Sequence, residues 1–256
     1  MKAQIVIAAH KPYRFPQDPV YLPLQVGKNG GPGFGIAGDD TGDNISEKNP
    51  RFCELTGIYW AVHNLDVDYI GLVHYRRYFA LRKTRDRFDG ILSADQLQAL
   101  LSQNDVLLPR KQHYYIESLY SHYAHTHSES HLIALRRVLS ERFPDYLEAF
   151  DSLKRRTSAH MFNMFVMRRD LLASYCDFLF ETLFTLEKEL DLSGMSDFEA
   201  RLFGRLSELL LDVWIEKNHI AYREIPYVYM EKVSLLKKGI GFLKAKFFGK
   251  KYDKSF

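Results

Sequence analysis

Short apolar runs recur along this chain, each too short to make a helix and each closed by turn residues or proline. They fall at residues 5–9 (Ile-Val-Ile-Ala-Ala), 68–73 (Asp-Tyr-Ile-Gly-Leu-Val), 106–109, 161–167 and 221–229. Between them lie stretches with apolar residues at helical spacing, at 52–63, 93–101, 116–142, 169–190 and 198–217. Runs of the first kind read as buried strands and stretches of the second as amphipathic helices. Their alternation predicts an α/β single domain with a mostly parallel central sheet flanked by helices. Ser93 has the character of a helix cap. Residues 11–50 carry two glycine-rich runs and no periodicity, and read as one long irregular loop, a kind of segment that is usually functional.

The 256 residues are 46% hydrophobic and 26% charged, enough to bury a sizeable core. Cys53 and Cys176 are too few for a disulfide scaffold and fit a reducing compartment. No secretory signal opens the sequence and no apolar run reaches spanning length, so a cytoplasmic protein is expected. The net charge of +3 is unevenly spread: residues 233–256 hold seven lysines and one acid, a balance of +6 that leaves −3 on the rest. Two units follow, a domain over 1–232 and a basic tail over 233–256. In the tail, lysines alternate with apolar residues at roughly helical spacing. That pattern predicts an amphipathic helix on an anionic membrane surface, with Lys237, Lys238, Phe242, Lys244, Phe247 and Phe248 as contacts. The acidic body offers no continuous basic face for nucleic acid.

In parallel sheets, ligands gather at the carboxyl ends of strands. Two such ends are rich in cations and hydrogen-bonding rings: His10-Lys11 after the first run, and His74-Tyr75-Arg76-Arg77-Tyr78 after the second. Along a strand neighbouring side chains face opposite ways, so only one of Arg76 and Arg77 reaches a ligand unless the chain turns there. Paired guanidinium groups neutralise a diphosphate directly, with bidentate hydrogen bonds. Asn44, Ser46 and Asn49 are turn and cap residues by type.

The series Asn44-Ile45-Ser46-Glu47-Lys48-Asn49, Cys53-Glu54-Leu55-Thr56, Tyr59-Trp60 and Tyr69 through Phe79 resembles a family of capsular and exopolysaccharide biosynthesis proteins. The likeness continues more weakly through Arg201-Leu202-Phe203-Gly204, Glu208 and Trp214. That family is treated as glycosyltransferases with a GT-A-like fold, some of them linked to galactofuranose transfer. The resemblance implies donor contacts at His10, Lys11, Asn44, Ser46, Asn49, His74, Tyr75, Arg76, Arg77 and Tyr78, and acceptor contacts at Asn163 and Arg201. Many GT-A enzymes end the comparable strand in an Asp-x-Asp motif that holds a metal on the donor diphosphate. This chain has His-Tyr-Arg-Arg-Tyr there, so no divalent metal or other cofactor is expected.

Transfer to a hydroxyl needs a base at the attacking oxygen, and Glu208, Asp197 and His74 are the candidates. Glu208 stands among leucines, where burial raises a carboxyl pKa; an ion pair with Arg205 is the plainer role for it. Asp39, Asp40 and Asp43 match no calcium loop. His122, His125, His127 and His131 lack a His-Glu-x-x-His pattern and read as polar helix surface, with a place along an acceptor groove as the other reading.

The expected function is transfer of a sugar, with galactofuranose as one possibility, from a nucleotide-sugar, expected to be a UDP-sugar, to a lipid-linked glycan in capsule, O-antigen or exopolysaccharide synthesis. The expected place is the cytoplasmic face of the inner membrane. The alternative is a non-catalytic nucleotide-sugar- or glycan-binding subunit of a polysaccharide assembly complex.

Overall fold

A computed structural model describes residues 1–231. The proposed membrane contacts of the tail, Lys237, Lys238, Phe242, Lys244, Phe247 and Phe248, lie outside the described residues. The chain runs β1 (Ala3–Ala9), β2 (Tyr21–Gln25), β3 (Ala37–Gly38), α1 (Asn49–Phe52), α2 (Leu55–Asn64), β4 (Tyr69–His74), β5 (Arg77–Phe79) and α3 (Ala94–Leu101). It continues through β6 (Val106–Pro109), β7 (Gln112–His113), α4 (Leu119–Thr126), α5 (Glu129–Arg142), α6 (Leu147–Asp151), β8 (Ser158–Ala159) and β9 (Phe165–Arg168). The last elements are α7 (Arg169–Glu189), α8 (Asp197–Ala200), α9 (Leu202–Lys217), β10 (Arg223–Ile225) and β11 (Tyr227–Tyr229).

The main sheet has the order β10-β6-β9-β4-β1-β2-β3, with β5 on β4 and β11 on β5. Along that order only β9 runs against its neighbours, so the sheet is mostly parallel. The reversal of β9 matters for the site, because it carries the loop entering β9 to the edge where the parallel strands end.

Strand alternation divides the core in two. Val6 and Ala8 of β1, with Ile70 and Leu72 of β4, pack under α2, α5, α7 and α9. Ile5, Ile7 and Ala9, with Tyr69 and Val73, face α3 and a group of aromatic rings that includes Tyr75, Tyr78 and Phe79. Helix α9 is apolar on nearly every side and is correspondingly enclosed, with Leu206, Leu210, Val213 and Trp214 all buried.

Five expectations change. The strand expected over 161–167 begins only at Phe165, and the helix expected over 198–217 is interrupted at Arg201. Residues 11–50 hold β2 and β3, which extend the parallel sheet. Pro23 inside β2 hides that strand in the sequence; it is tolerated because β3 pairs only with Leu24 and Gln25, leaving Pro23 no ladder hydrogen bond to give on that side. The helix expected over 116–142 is two: Thr126 Oγ1 donates back to the His122 carbonyl at 2.7 Å, and His127 leaves helical geometry at φ −128°, ψ −109°. The last strand is also two, divided at Pro226, as the chain passes from β6 to β5. Cys53 and Cys176 are free thiols.

Candidate functional site

The cluster after β4 makes a hairpin. Tyr75 and Arg76 form a two-residue turn, and β5 returns so that Arg77 stands opposite His74. The turn therefore lifts the one-sided restriction of a straight strand. His74, Arg76 and Arg77 all line one cleft of ≈ 240 Å³ at the carboxyl edge of the parallel strands. The tyrosines go the other way. Tyr75 is buried, with its hydroxyl 3.4 Å from His10 Nε2 and its ring edge-on to Tyr13. Tyr78 is fully buried against Tyr21 and Phe88. The expected donor contact at Tyr78 is thus corrected: it belongs to the second core.

Parallel pairing of β1 with β4 sets Ala8 beside His74, and so brings the His10-Lys11 end to the same edge. The His10 and His74 rings are 6.2 Å apart, and Lys11 Nζ lies 5.5 Å from the Tyr75 ring. Burial holds the His74 ring well below its ordinary pKa of 6.5, and the charges of Arg77 and Arg76 add to this. Its Nδ1 accepts from the Arg76 backbone N–H at 3.3 Å, which leaves the proton of the neutral ring on Nε2.

Arg77 has no ion pair among the described residues; its guanidinium lies 4.2 Å from the Phe162 ring centre and 5.6 Å from that of Tyr229. Arg76 approaches Glu231 at 3.8 Å. The Nε atoms of both arginines are buried without a hydrogen-bond partner. A cation held by rings rather than by a carboxylate, as Arg77 is, keeps its charge available to a ligand.

Glu208 faces them from α9. Gly204, one turn earlier, lets α9 approach α1: a Cβ there would stand 3.0 Å from both Cβ and Sγ of Cys53. The Glu208 carboxylate accepts from the Phe162 backbone N–H at 3.1 Å. Burial and the charge of nearby Glu54 push its pKa up to about 7, against the opposing pull of Arg77. The plainer role is not what the fold builds. Arg205 donates instead to the Phe198 carbonyl at 2.6 Å and lies 3.9 Å over its ring, and Arg201 donates to Cys53 Sγ at 3.3 Å.

Three non-glycine residues with positive φ meet at this cleft: Cys53 (54°), Phe162 (79°) and Asn163 (50°). Such backbone costs on the order of 1–3 kcal/mol per residue and gathers at functional sites. Here it aims specific groups. Cys53 turns the chain so that Glu54 enters the cleft, and Phe162 presents its N–H to Glu208 and its ring to Arg77.

The remaining expected residues are placed as follows. Arg201 lines the cleft. Asn163 is buried, donating to Glu54 at 2.9 Å and to the Gly204 carbonyl at 3.0 Å while accepting from Ser207 at 2.9 Å; its amide is occupied, and it braces Glu54. Asn44, Ser46 and Asn49 lie outside the cleft. Asn44 closes a turn onto the Ser46 N–H, and Asn49 donates to the Cys53 carbonyl. Ser46 donates to Asp39, a fully buried carboxylate that also accepts from Thr56 and from the backbone of Gly27 and Lys28. Their polar groups are spent in bracing the loop. Asp197 lies in a neighbouring cavity, apart from Glu208. Among the described residues no group of three or more His, Cys, Asp or Glu side chains is arranged to hold a metal ion.

The sequence reading missed Glu54 and Phe162, took Arg205 only as an ion-pair partner of Glu208, and gave His127 no more than a place along an acceptor groove. Glu54 stood inside the Cys53-Glu54-Leu55-Thr56 series and Arg205 one helical turn before Glu208, so both were open to selection by spacing. His127 enters the cleft because the helix breaks there, and nothing in the sequence marked the backbone of Phe162.

A mostly parallel α/β sheet flanked by helices matches a glycosyltransferase fold. A solved structure described as the bifunctional glycosyltransferase WbbM in its apo form superposes on this chain with a TM-score of 0.84 and 28% identity. The match covers 91% of this chain and 46% of that one, so this chain spans less than half of the length of that protein. The chain belongs to the family described as a domain of unknown function, DUF4422, whose profile matches residues 4–219. No curated protein matches it. No helix among the described residues is long and apolar enough to cross a membrane.

Proposed function

We propose that this chain is a glycosyltransferase of polysaccharide synthesis, moving a sugar from a nucleotide-sugar donor to a glycan acceptor. The likeness to WbbM supports the reaction class. The observation that carries the mechanism is the opposition of Arg76 and Arg77 to Glu208 across one cleft. Glu208 takes the proton of the acceptor hydroxyl as its oxygen bonds to the anomeric carbon. The bond from that carbon to the donor phosphate breaks, and the diphosphate leaves with the electron pair. Arg76 and Arg77 stabilise the charge that develops on it, in the manner of a preorganised electrostatic clamp. With cations in that place, the reaction needs no divalent metal. His10, Lys11 and His74 extend the donor side, His74 as a neutral hydrogen-bonding ring, and Tyr75 supports them from behind through its contacts with His10 and Lys11. Asn44, Ser46 and Asn49 act by shaping the loop before α2.

The donor is proposed to be a UDP-sugar, with galactofuranose the first sugar to try and a lipid-linked glycan the acceptor, in capsule, O-antigen or exopolysaccharide synthesis. The basic segment 233–256 is proposed to hold the enzyme at the cytoplasmic face of the inner membrane. The test is a panel of nucleotide-sugars assayed for thermal stabilisation and for donor turnover. Stabilisation with turnover is expected from at least one. Stabilisation without turnover would make the chain a binding subunit, and neither effect from any donor would end the transferase reading.

A further inference from the structure

Past Arg205 and His127 the cleft adjoins a second, larger cavity of ≈ 700 Å³, and the two share His127, Phe198 and Arg205 as a common wall. Their charge is opposite. The cleft holds four arginines (76, 77, 201 and 205) and two carboxylates. The second cavity holds three carboxylates, Asp191, Asp197 and Glu199, against Arg205 alone among the arginines and lysines. A nucleoside diphosphate is drawn to the first compartment and repelled from the second.

We infer that the second cavity binds the acceptor, taking neutral, hydroxyl-rich sugar residues, with Asp197 receiving hydrogen bonds from sugar hydroxyls and the Phe198 ring offering an apolar face. This rests on the transferase reading and deepens it. Ionised carboxylates are acceptors only and so complement hydroxyl donors. Two of the three are already engaged: Asp191 accepts from Ser193 Oγ at 2.6 Å, and Glu199 accepts from Ser196 Oγ at 2.8 Å. Asp197 is exposed and makes no hydrogen bond or ion pair among the described residues, so its oxygens are open to a ligand. The cavity volume falls in the range of small-molecule sites. The shared wall supplies the geometry: Arg205 is three residues from Glu208 on α9, so a sugar held beside Phe198 has a short path for one hydroxyl to the base. Asp197 then serves recognition, and only Glu208 faces the reacting atoms.

Saturation-transfer NMR on the full chain, with methyl β-galactofuranoside, methyl β-galactopyranoside and UDP as probes, tests this. At least one glycoside should bind, and saturating UDP should leave its signal in place. Asp197→Asn should weaken glycoside binding roughly tenfold and leave UDP binding unchanged, and Phe198→Ala should weaken glycoside binding as well. Absence of binding by either glycoside, displacement by UDP, or unaltered binding in both variants would overturn the assignment. Binding of UDP without any glycoside would sink this inference alone, whereas failure of UDP to bind would sink the donor reading beneath it.

Discussion

The Phe162 backbone N–H donates to Glu208 Oε1 at 3.1 Å, while the ring of the same residue lies 4.2 Å from the Arg77 guanidinium. One strained residue therefore sets both the proposed base and the proposed clamp. The carboxylate and the guanidinium share a cleft without a salt bridge, which explains how Glu208 keeps a raised pKa so close to a cation. Desolvation, with the repulsion of Glu54 added to it, wins over the attraction of Arg77.

Glu208→Gln should abolish most transfer while leaving donor affinity intact. The amide keeps the shape and still accepts from Phe162, so the loss reads the base alone, roughly 10²–10⁴-fold in kcat. In the wild type, kcat/KM should rise with pH through an apparent pKa of about 7, the value to which burial raises Glu208. Turnover by the variant at the wild-type rate would move the base elsewhere.

The same group makes a stability prediction. In the fold Glu208 holds its proton up to about pH 7, whereas in the unfolded chain it ionises near 4.5. Between these values the folded state binds the extra proton, so this stabilisation is full below pH 4.5 and is lost as pH rises through 7. At full development the loss is of the order of ~3 kcal/mol. Glu208→Gln lacks it. The melting temperature of the variant relative to wild type should increase by several degrees between acid and mildly alkaline buffer; a constant difference would contradict the raised pKa.

Much of the scaffold was legible because the hydrophobic periods report it directly. β1, β4, β6 and α7 fall where apolar runs and helical spacing place them, and His10, His74, Arg76, Arg77 and Glu208 stand at the strand ends and the helix face that the pattern points to. What was not legible depends on backbone conformation and tertiary approach. No residue type announces that Tyr75-Arg76 turns, yet that turn brings Arg76 and Arg77 to one side and sends Tyr78 into the core. Glu54 reaches Glu208 only because Cys53 takes a left-handed φ and Gly204 admits α9 beside it. The resemblance made Asn44, Ser46 and Asn49 donor contacts, yet in the fold they brace the loop, with Asn44 turned onto the Ser46 N–H, Ser46 donating to the buried Asp39 and Asn49 donating to the Cys53 carbonyl.

Arg77→Ala should cost more donor affinity than Arg76→Ala. Arg77 has no protein carboxylate as an ion-pair partner among the described residues, while Arg76 divides its charge with Glu231 at 3.8 Å. Loss of a charge-assisted hydrogen bond from Arg77 to the diphosphate should weaken UDP roughly 10–100-fold by titration calorimetry. Arg77→Lys should restore only part of this, since an ammonium keeps the charge but not the planar fork or its stacking on Phe162. Equal UDP affinity in wild type and Arg77→Ala would remove the clamp.

Chelation separates the arginine clamp from a metal-dependent transferase. If Arg76 and Arg77 neutralise the diphosphate, UDP affinity and donor turnover should be the same in excess EDTA and in added Mn²⁺, because the cations that meet the leaving group are covalent parts of the chain. The two arginines also make the binding sensitive to salt, as exposed cation–anion attraction is screened within about 10 Å at 0.1 M ionic strength. UDP affinity should therefore fall as sodium chloride is raised, and should fall less steeply in Arg77→Ala. Turnover that vanishes in EDTA and returns with Mn²⁺ would show that a metal sits between these guanidinium groups and the donor, and that their role is to hold the nucleotide rather than to carry off the charge.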